Sequence, residues 1–207
     1  MSITERTGTV TAYTLATDNG GAPNVENNLL SQGLCKAKIR ELSKIGDLIV
    51  MIGGKPLHTV KDWDQIKNGF MNKQIICLFI VTEKISWKQY ATQYPTRMDA
   101  IYTPELKLKR NAIYHNCGGD FKNDLGGKYV LLSENFIFFG DKHISLPVTL
   151  EDITPGRQYL TTRNGKLKSS AKRIESAAFK LFYKLQQQHG SGKIGRHISS
   201  TKKKSNC

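Results

Sequence analysis

The chain reads as an α+β domain: a compact, partly closed β-barrel flanked by helices, with a basic helix and tail at its C-terminal end. Three observations predict this. Gln74 to Thr82 (QIICLFIVT) is apolar on both faces, the mark of a strand at the centre of a covered sheet. Leu34 to Gly53 joins a basic helical stretch, a Gly46-Asp47 break and an apolar, partly β-branched run in one unit. From Ser170 onward, Ile174, Ala177, Ala178, Leu181, Phe182 and Leu185 recur at helical spacing and give one apolar face.

Each element follows from local chemistry. Thr9 to Thr17, rich in Thr, Val and Tyr, predicts a first strand, which the loop Asp18-Asn19-Gly20-Gly21-Ala22-Pro23-Asn24 breaks. Cys35, Ile39 and Leu42 then mark the inner side of a helix whose other sides carry Lys36, Lys38, Arg40 and Lys44. Gly46 suits the left-handed residue that ends such a helix. Leu48 to Ile52 predicts a buried strand running into Gly53-Gly54. Lys55 to Asn72 is polar, with a short helical turn around Asp62 and Trp63. Ser86 is placed to cap a short helix holding Trp87 and Tyr90, closed by Pro95. Arg97 to Gly127 reads as a long polar insertion, and long ordered loops tend to be functional. Lys128 to Ser133 and Phe136 to Phe139 make two further strands, followed by a Gly140-Asp141 turn.

Charge is concentrated at one end. Of the formal net charge of +14, the stretch from residue 156 to 207 contributes thirteen Lys/Arg against Glu175 alone. This divides the chain into a domain at 1–155, a basic amphipathic helical extension packing on it at 156–189, and a basic tail at 190–207 that lacks a core-forming pattern and is expected to be disordered. Such asymmetry is the electrostatic footprint of a nucleic-acid partner. The longest apolar run, Ile75 to Val81, is too short to span a bilayer, and no basic stretch leads into an apolar one at the start. Four cysteines without CxxC spacing suit a reducing compartment. The expectation is a soluble intracellular protein with no membrane partner.

For chemistry, the candidates are thin. His115-Asn116-Cys117 is an isolated His/Cys pair without the second paired spacing that zinc sites use, so no metal or other cofactor is expected. Ser133 lacks a Gly-x-Ser-x-Gly frame, and Asp120 and Asp124 stand in a turn-forming sequence. Glycine spacings of dinucleotide and P-loop sites are absent. Binding residues are better represented. The basic residues Lys36, Lys38 and Arg40 lie near the mouth of the predicted sheet, and Lys172, Arg173, Lys180 and Lys184 occupy the far side of the C-terminal helix. Phe136 and one of its two neighbouring phenylalanines are expected in the core, which leaves Tyr13, Trp87 and Tyr90 as stacking candidates.

Several motifs stand in a familiar order: Tyr13, the loop from Asp18 to Asn24, Leu34-Cys35-Lys36-x-Lys38-Ile39-Arg40, Gly46-Asp47-x-Ile49-x-x-x-Gly53, and Tyr129-Val130-Leu131-Leu132-Ser133-x-x-Phe136-x-x-Phe139-Gly140. Over residues 9 to 150 they resemble the nucleotide modification associated domain 2 family, with Ala37 and Leu48 departing from the proline and tryptophan expected there. The order of elements also resembles the PUA, ASCH and EVE group of small barrels, which implies a PUA-like cleft beside the first helix. The resemblance implies a link to modified bases, in DNA or RNA, and base-modification enzymes as possible partners. The expected function is therefore a nucleic-acid-binding module that recognises a modified or flipped base. Tyr13, Asp18, Lys36, Arg40, Trp87 and Tyr90 would line its cleft, and Asp18 and Arg40 would choose the base. The rival is an enzyme acting on nucleotides or nucleic acid through Asp120, Asp124, His115 or Ser133.

Overall fold

Leu48 to Ile52 and Ile75 to Val81 show no polar alternation because both faces of their sheet are covered. The computed structural model describes residues 8–57, 60–68, 73–110, 112, 121–147 and 169–198. In chain order its elements are β1 (Val10–Leu15), β2 (Asn24–Glu26), β3 (Leu29–Gln32), α1 (Ala37–Leu42), β4 (Leu48–Gly53), α2 (Val60–Lys67), β5 (Gln74–Ile80), β6 (Glu83–Ser86), α3 (Trp87–Gln93), α4 (Phe121–Gly126), β7 (Tyr129–Ser133), β8 (Asn135–Phe138), β9 (Ile144–Ser145), α5 (Ser169–His189) and β10 (Gly192–Lys193).

The first sheet has the order β1-β4-β5-β8-β10, with β9 added beside β5. β1 is parallel to β4 and β10 to β8, while β5 runs antiparallel to both of its long neighbours. The second sheet, β2-β3-β7-β6, is antiparallel throughout. Side chains alternate as the pleat requires. Val10, Ala12, Leu48, Val50 and Ile137 meet α5 on one face of the first sheet; Tyr13, Ile49, Met51, Phe136 and Phe138 meet Leu30 and Leu131 of the second sheet on the other. α3 and the loop around residues 100–102 cover the outer face of the second sheet.

A bulge adjusts this pattern. Met51 pairs with Cys77 and Ile52 with Ile75, so Ile76 has no partner of its own. The extra residue lets Ile75, Leu78 and Ile80 all reach the α5 side, while Cys77 and Phe79 face the second sheet.

The partly closed barrel is corrected to two stacked sheets. Among the described residues no strand ladder joins them into a closed barrel. They share a corner instead, because the chain passes directly from β5 to β6 and from β7 to β8. Thr82 N donates to Leu132 O at 2.9 Å, and Ser133 Oγ donates to Ile80 O at 2.7 Å.

Local signals are mostly met. Ser86 caps α3 within a capping box with Gln89. Gly46 does take a left-handed φ of +93°, but in the turn before β4 and not as the end of α1, which stops at Leu42 with an extended Ser43 as its C-cap. α1 is shorter than its pattern predicts: it begins at Ala37, because Cys35 and Lys36 both take left-handed conformations, and Leu42 is 50% exposed. The hairpin β2–β3, turning on Asn27 and Asn28 with positive φ, escaped the sequence reading. α5 docks through Ala178, Phe182 and Leu185 as expected, joined by Phe179, which belongs to the buried face rather than among the exposed lysines.

The expectation of a disordered tail from Gly190 is corrected over 190–198. Gly192–Lys193 pairs with Ile137–Phe138, Ile194 N donates to Phe138 O at 2.8 Å, and Asp141 N donates to Arg196 O at 2.9 Å. A strand held by backbone bonds needs no apolar periodicity, so it left no sequence signal. Residues 199–207 lie outside the described set.

Candidate functional site

β1, β4, β8 and β10 all point the same way, so the residues that follow β1 and β10, at the two ends of the first sheet, emerge at one end of the stack. There they meet. His197 Nδ1 lies 2.5 Å from Asp18 Oδ1, and Ile198 N donates to Asp18 Oδ2 at 3.0 Å. The Asp18 carboxylate is fully buried, whereas the His197 side chain keeps 17% exposure. The imidazole packs on the Phe138 ring at 4.6 Å between centroids.

Register carries the site across the sheet. Tyr13, Met51, Cys77 and Phe138 are successive cross-strand partners on the face toward the second sheet. Tyr13 OH donates to Gln32 Oε1 at 2.9 Å, and Lys36 Nζ stands 5.0 Å from the centre of the Tyr13 ring. Burial pushes the Tyr13 hydroxyl well above its ordinary pKa, helped by Cys77, Cys35 and Asp18; burial and then Asp18 do the same to the Cys77 thiol. Lys36 thus stands over Tyr13, Asp18 bears electrostatically on Tyr13 and Cys77, and His197 pairs with Asp18. Separated from Asp18 by most of the chain, His197 carried no local signal.

Arg40 lies elsewhere. It is fully buried, donating from Nε to Cys35 O at 2.8 Å, from Nη1 to Tyr129 O at 2.6 Å and from Nη2 to Asp124 O at 2.6 Å. Burial pushes its pKa down to about 10, with Asp124 opposing, so the guanidinium stays charged near neutrality. It ties α1, α4 and β7 together and holds the left-handed Cys35-Lys36 step in place. The expectation that Arg40 lines the cleft and chooses the base is corrected: its planar fork faces three carbonyls and is satisfied inside the protein.

The aromatic expectations are corrected too. Tyr13 and Trp87 are each 2% exposed and Tyr90 is fully buried, so none offers an open ring face. Trp87 Nε1 donates to Asp124 O at 3.1 Å, and Trp87 packs edge-on against Tyr90 and Tyr102. Phe136, Phe138 and Phe139 are all buried.

Tyr90 belongs to a polar network under α3. Asp99 accepts from Tyr90 OH at 2.6 Å and Ser31 Oγ at 2.5 Å, while Arg97 Nη2 donates to Asn24 Oδ1 at 2.6 Å and to Ser31 Oγ at 3.0 Å. Arg97 Nε lies 3.5 Å from Asp99. Burial raises the Asp99 pKa above its ordinary value of 3.8, with Arg97, Ser31 and Tyr90 opposing. Between the ordinary and the raised value the folded state therefore holds a proton that the unfolded chain has released. That contribution to stability is complete below the ordinary value and is lost as pH rises through the raised one. Asp99→Asn should flatten the fall of stability with pH across that window. Chemical denaturation of both proteins over an acidic pH series checks this, and parallel curves would refute it.

The remaining candidates are dispersed. Lys38 is exposed on α1, and Lys180 and Lys184 are exposed on α5, on the opposite side of the first sheet from Tyr13. Lys172 and Arg173 lie on the same helix, with their side chains outside the described set. The rival catalytic set does not converge among the described residues. Asp124 accepts from Cys35 N and Tyr102 OH, whereas Ser133 Oγ bonds to the carbonyls of Ile80 and Asn135. His115, Cys117 and Asp120 lie outside the described set. Among the described residues no cluster of His, Cys, Asp and Glu could hold a metal, and no helix is long and apolar enough to cross a membrane.

Fold and site together define a two-sheet α+β domain with an acid–histidine pair at the common end of its parallel strands. The chain belongs to the nucleotide modification associated domain 2 family, whose model matches residues 7–196. The matched span includes α5 and β10 and stops one residue before His197. No curated protein and no solved structure matches the chain.

Proposed function

We propose that the domain binds nucleic acid and holds a single nucleotide, with a modified or flipped base, at the corner formed by Tyr13, Asp18 and Lys36. The observation that carries this reading is the joint placement of a buried carboxylate paired to a partly exposed imidazole and of an ammonium group beside the Tyr13 ring. In this reading the partly exposed His197 ring, held by Asp18, meets the edge of the base, and the Lys36 cation attracts its phosphate. Because the tyrosine face is already covered, edge recognition rather than stacking supplies the choice of base. Arg40, Trp87 and Tyr90 serve indirectly, holding the walls from within. The family supports a place in nucleotide modification, and the order of strand, basic helix and Gly-Asp strand suits a PUA-like cleft beside α1.

Affinity for the polymer resides elsewhere in this reading. Lys38, Lys172, Arg173, Lys180 and Lys184, with Lys202, Lys203 and Lys204 of the tail, neutralise phosphates and release counterions. Removing residues 199–207, which spares β10 and His197, should weaken oligonucleotide binding and flatten its salt dependence, each lost phosphate contact lowering the log–log slope by about 0.7–0.9. A binding screen of modified and unmodified oligonucleotides at two or more ionic strengths measures this. An unchanged slope would remove the tail from the interface, and no binding by the full chain to any oligonucleotide would end the proposal. Lys36→Gln should reduce binding of single nucleotides while leaving the tail's salt slope intact.

A further inference from the structure

We propose that Asp18 and His197 form an acid–base pair that hydrolyses a phosphoester of the nucleotide bound beside them. The inference rests on the nucleotide-binding reading above and assigns a reaction to its site. With an aspartate oxygen accepting at Nδ1, that nitrogen carries the proton of the neutral ring and Nε2 presents its lone pair. Among the described residues Nδ1 is the ring nitrogen with a hydrogen-bond partner. A ring held by a buried carboxylate on one side, seated on Phe138 and still partly open to solvent has the features of an oriented general base.

A merely mechanical clasp explains less. The segment is already fixed by its backbone: Ile194 N to Phe138 O, Arg196 N to Asp141 Oδ1 and Ile198 N to the second oxygen of Asp18. The fully buried carboxylate that accepts from Ile198 N also turns its other oxygen to Nδ1, so it fixes the ring's orientation as well as the backbone.

The step balances with water as the second reactant. Water gives a proton to Nε2 as its oxygen bonds to phosphorus. The phosphorus–oxygen bond to the leaving group breaks, its electron pair stays with that oxygen, and the same proton passes from Nε2 to it. Asp18 remains ionised and faces the transient imidazolium, acting as a positioning residue.

The test uses the full chain with nucleoside 5′-mono- and triphosphates and a short phosphodiester, following hydrolysis by phosphorus NMR and binding by titration calorimetry. Wild type should turn over at least one of these, with an acid limb in its pH profile. His197→Gln should lower kcat about 100-fold, lose that limb and retain binding; Asp18→Asn should lower kcat more than it changes KM. Nitrogen-15 NMR of the wild type, which depends on no variant folding, should find His197 protonated at Nδ1 when neutral. Binding without turnover, wild-type kcat in His197→Gln, or a neutral ring protonated at Nε2 would each overturn the acid–base assignment and leave nucleotide binding standing. Absence of binding would overturn both.

Discussion

Arg40→Ala should destabilise the domain by about 2–4 kcal/mol, because Cys35 O and Tyr129 O lose their guanidinium donor, while Asp124 O keeps its bond from Trp87 Nε1, and a cavity opens among α1, α4 and β7. Each unsatisfied carbonyl costs about 1–3 kcal/mol where water does not replace the lost donor, and part of the cost is offset by no longer burying a charge. Arg40→Lys should recover only part of the loss, since one ammonium cannot span three acceptors held by a planar fork. Denaturant unfolding with the slope held constant measures both. Gly127 adds a control: a Cβ there would lie 2.7 Å from Arg40 Cζ and 2.8 Å from Ala37 Cα, so Gly127→Ala should be costly in the presence of Arg40 and less so once Arg40 is alanine. A loss below about 1 kcal/mol for Arg40→Ala would mean that these bonds do not hold the first helix in place.

Gly195→Ala should peel residues 192–198 from the first sheet. A Cβ at Gly195 would fall 1.9 Å from Phe139 O and 2.6 Å from Asp141 Oδ1, and the first of these is backbone that cannot yield as a side chain would. Gly140 is constrained from the other side, with φ +52° and a would-be Cβ 2.0 Å from Arg196 O. Detachment gives up the bonds of Ile194, Arg196 and Ile198 and the imidazole contact with Asp18, together about 3 kcal/mol at ordinary values per bond. Hydrogen exchange resolves the effect by residue: protection at Ile194, Arg196 and Ile198 should vanish while that of β4 and β5 falls only with global stability. Retained protection at those amides would show that the segment tolerates the added methyl group and that its path differs from the one described. Because His197 rides on this segment, the same variant should lose whatever the Asp18–His197 pair contributes.

Both substitutions act where the sequence is least expressive. Strands β4, β5, β7 and β8, the Ser86 cap and α5 were legible because burial on two faces, capping chemistry and helical periodicity each leave a local pattern. Arg40 misled for the opposite reason: a charged residue beside lysines reads as one reaching for a ligand, and only the carbonyls brought from Asp124 and Tyr129 show that it is an interior strut. Trp87 and Tyr90 misled likewise, because an aromatic near polar residues fits either a stacking face or a core with a hydrogen-bonding tip. The sequence grouped Tyr13, Asp18 and Lys36 with Arg40, Trp87 and Tyr90 as one cleft, and it did not include His197.

The amino-acid sequence alone determined the α+β class, the two doubly covered central strands, the docking helix, the concentration of positive charge toward the C-terminus and the family. These depend on the order and periodicity of neighbours, which a linear chain displays. Tertiary structure alone decided that the strands divide between two stacked sheets, that Arg40 faces inward, and that residues 190–198 belong to the fold. It also decided that the ends of two strands from opposite edges of one sheet converge to set His197 against Asp18. Such pairings are fixed by register and by backbone close approach between distant segments, and neither leaves a periodic trace in the residues that make them.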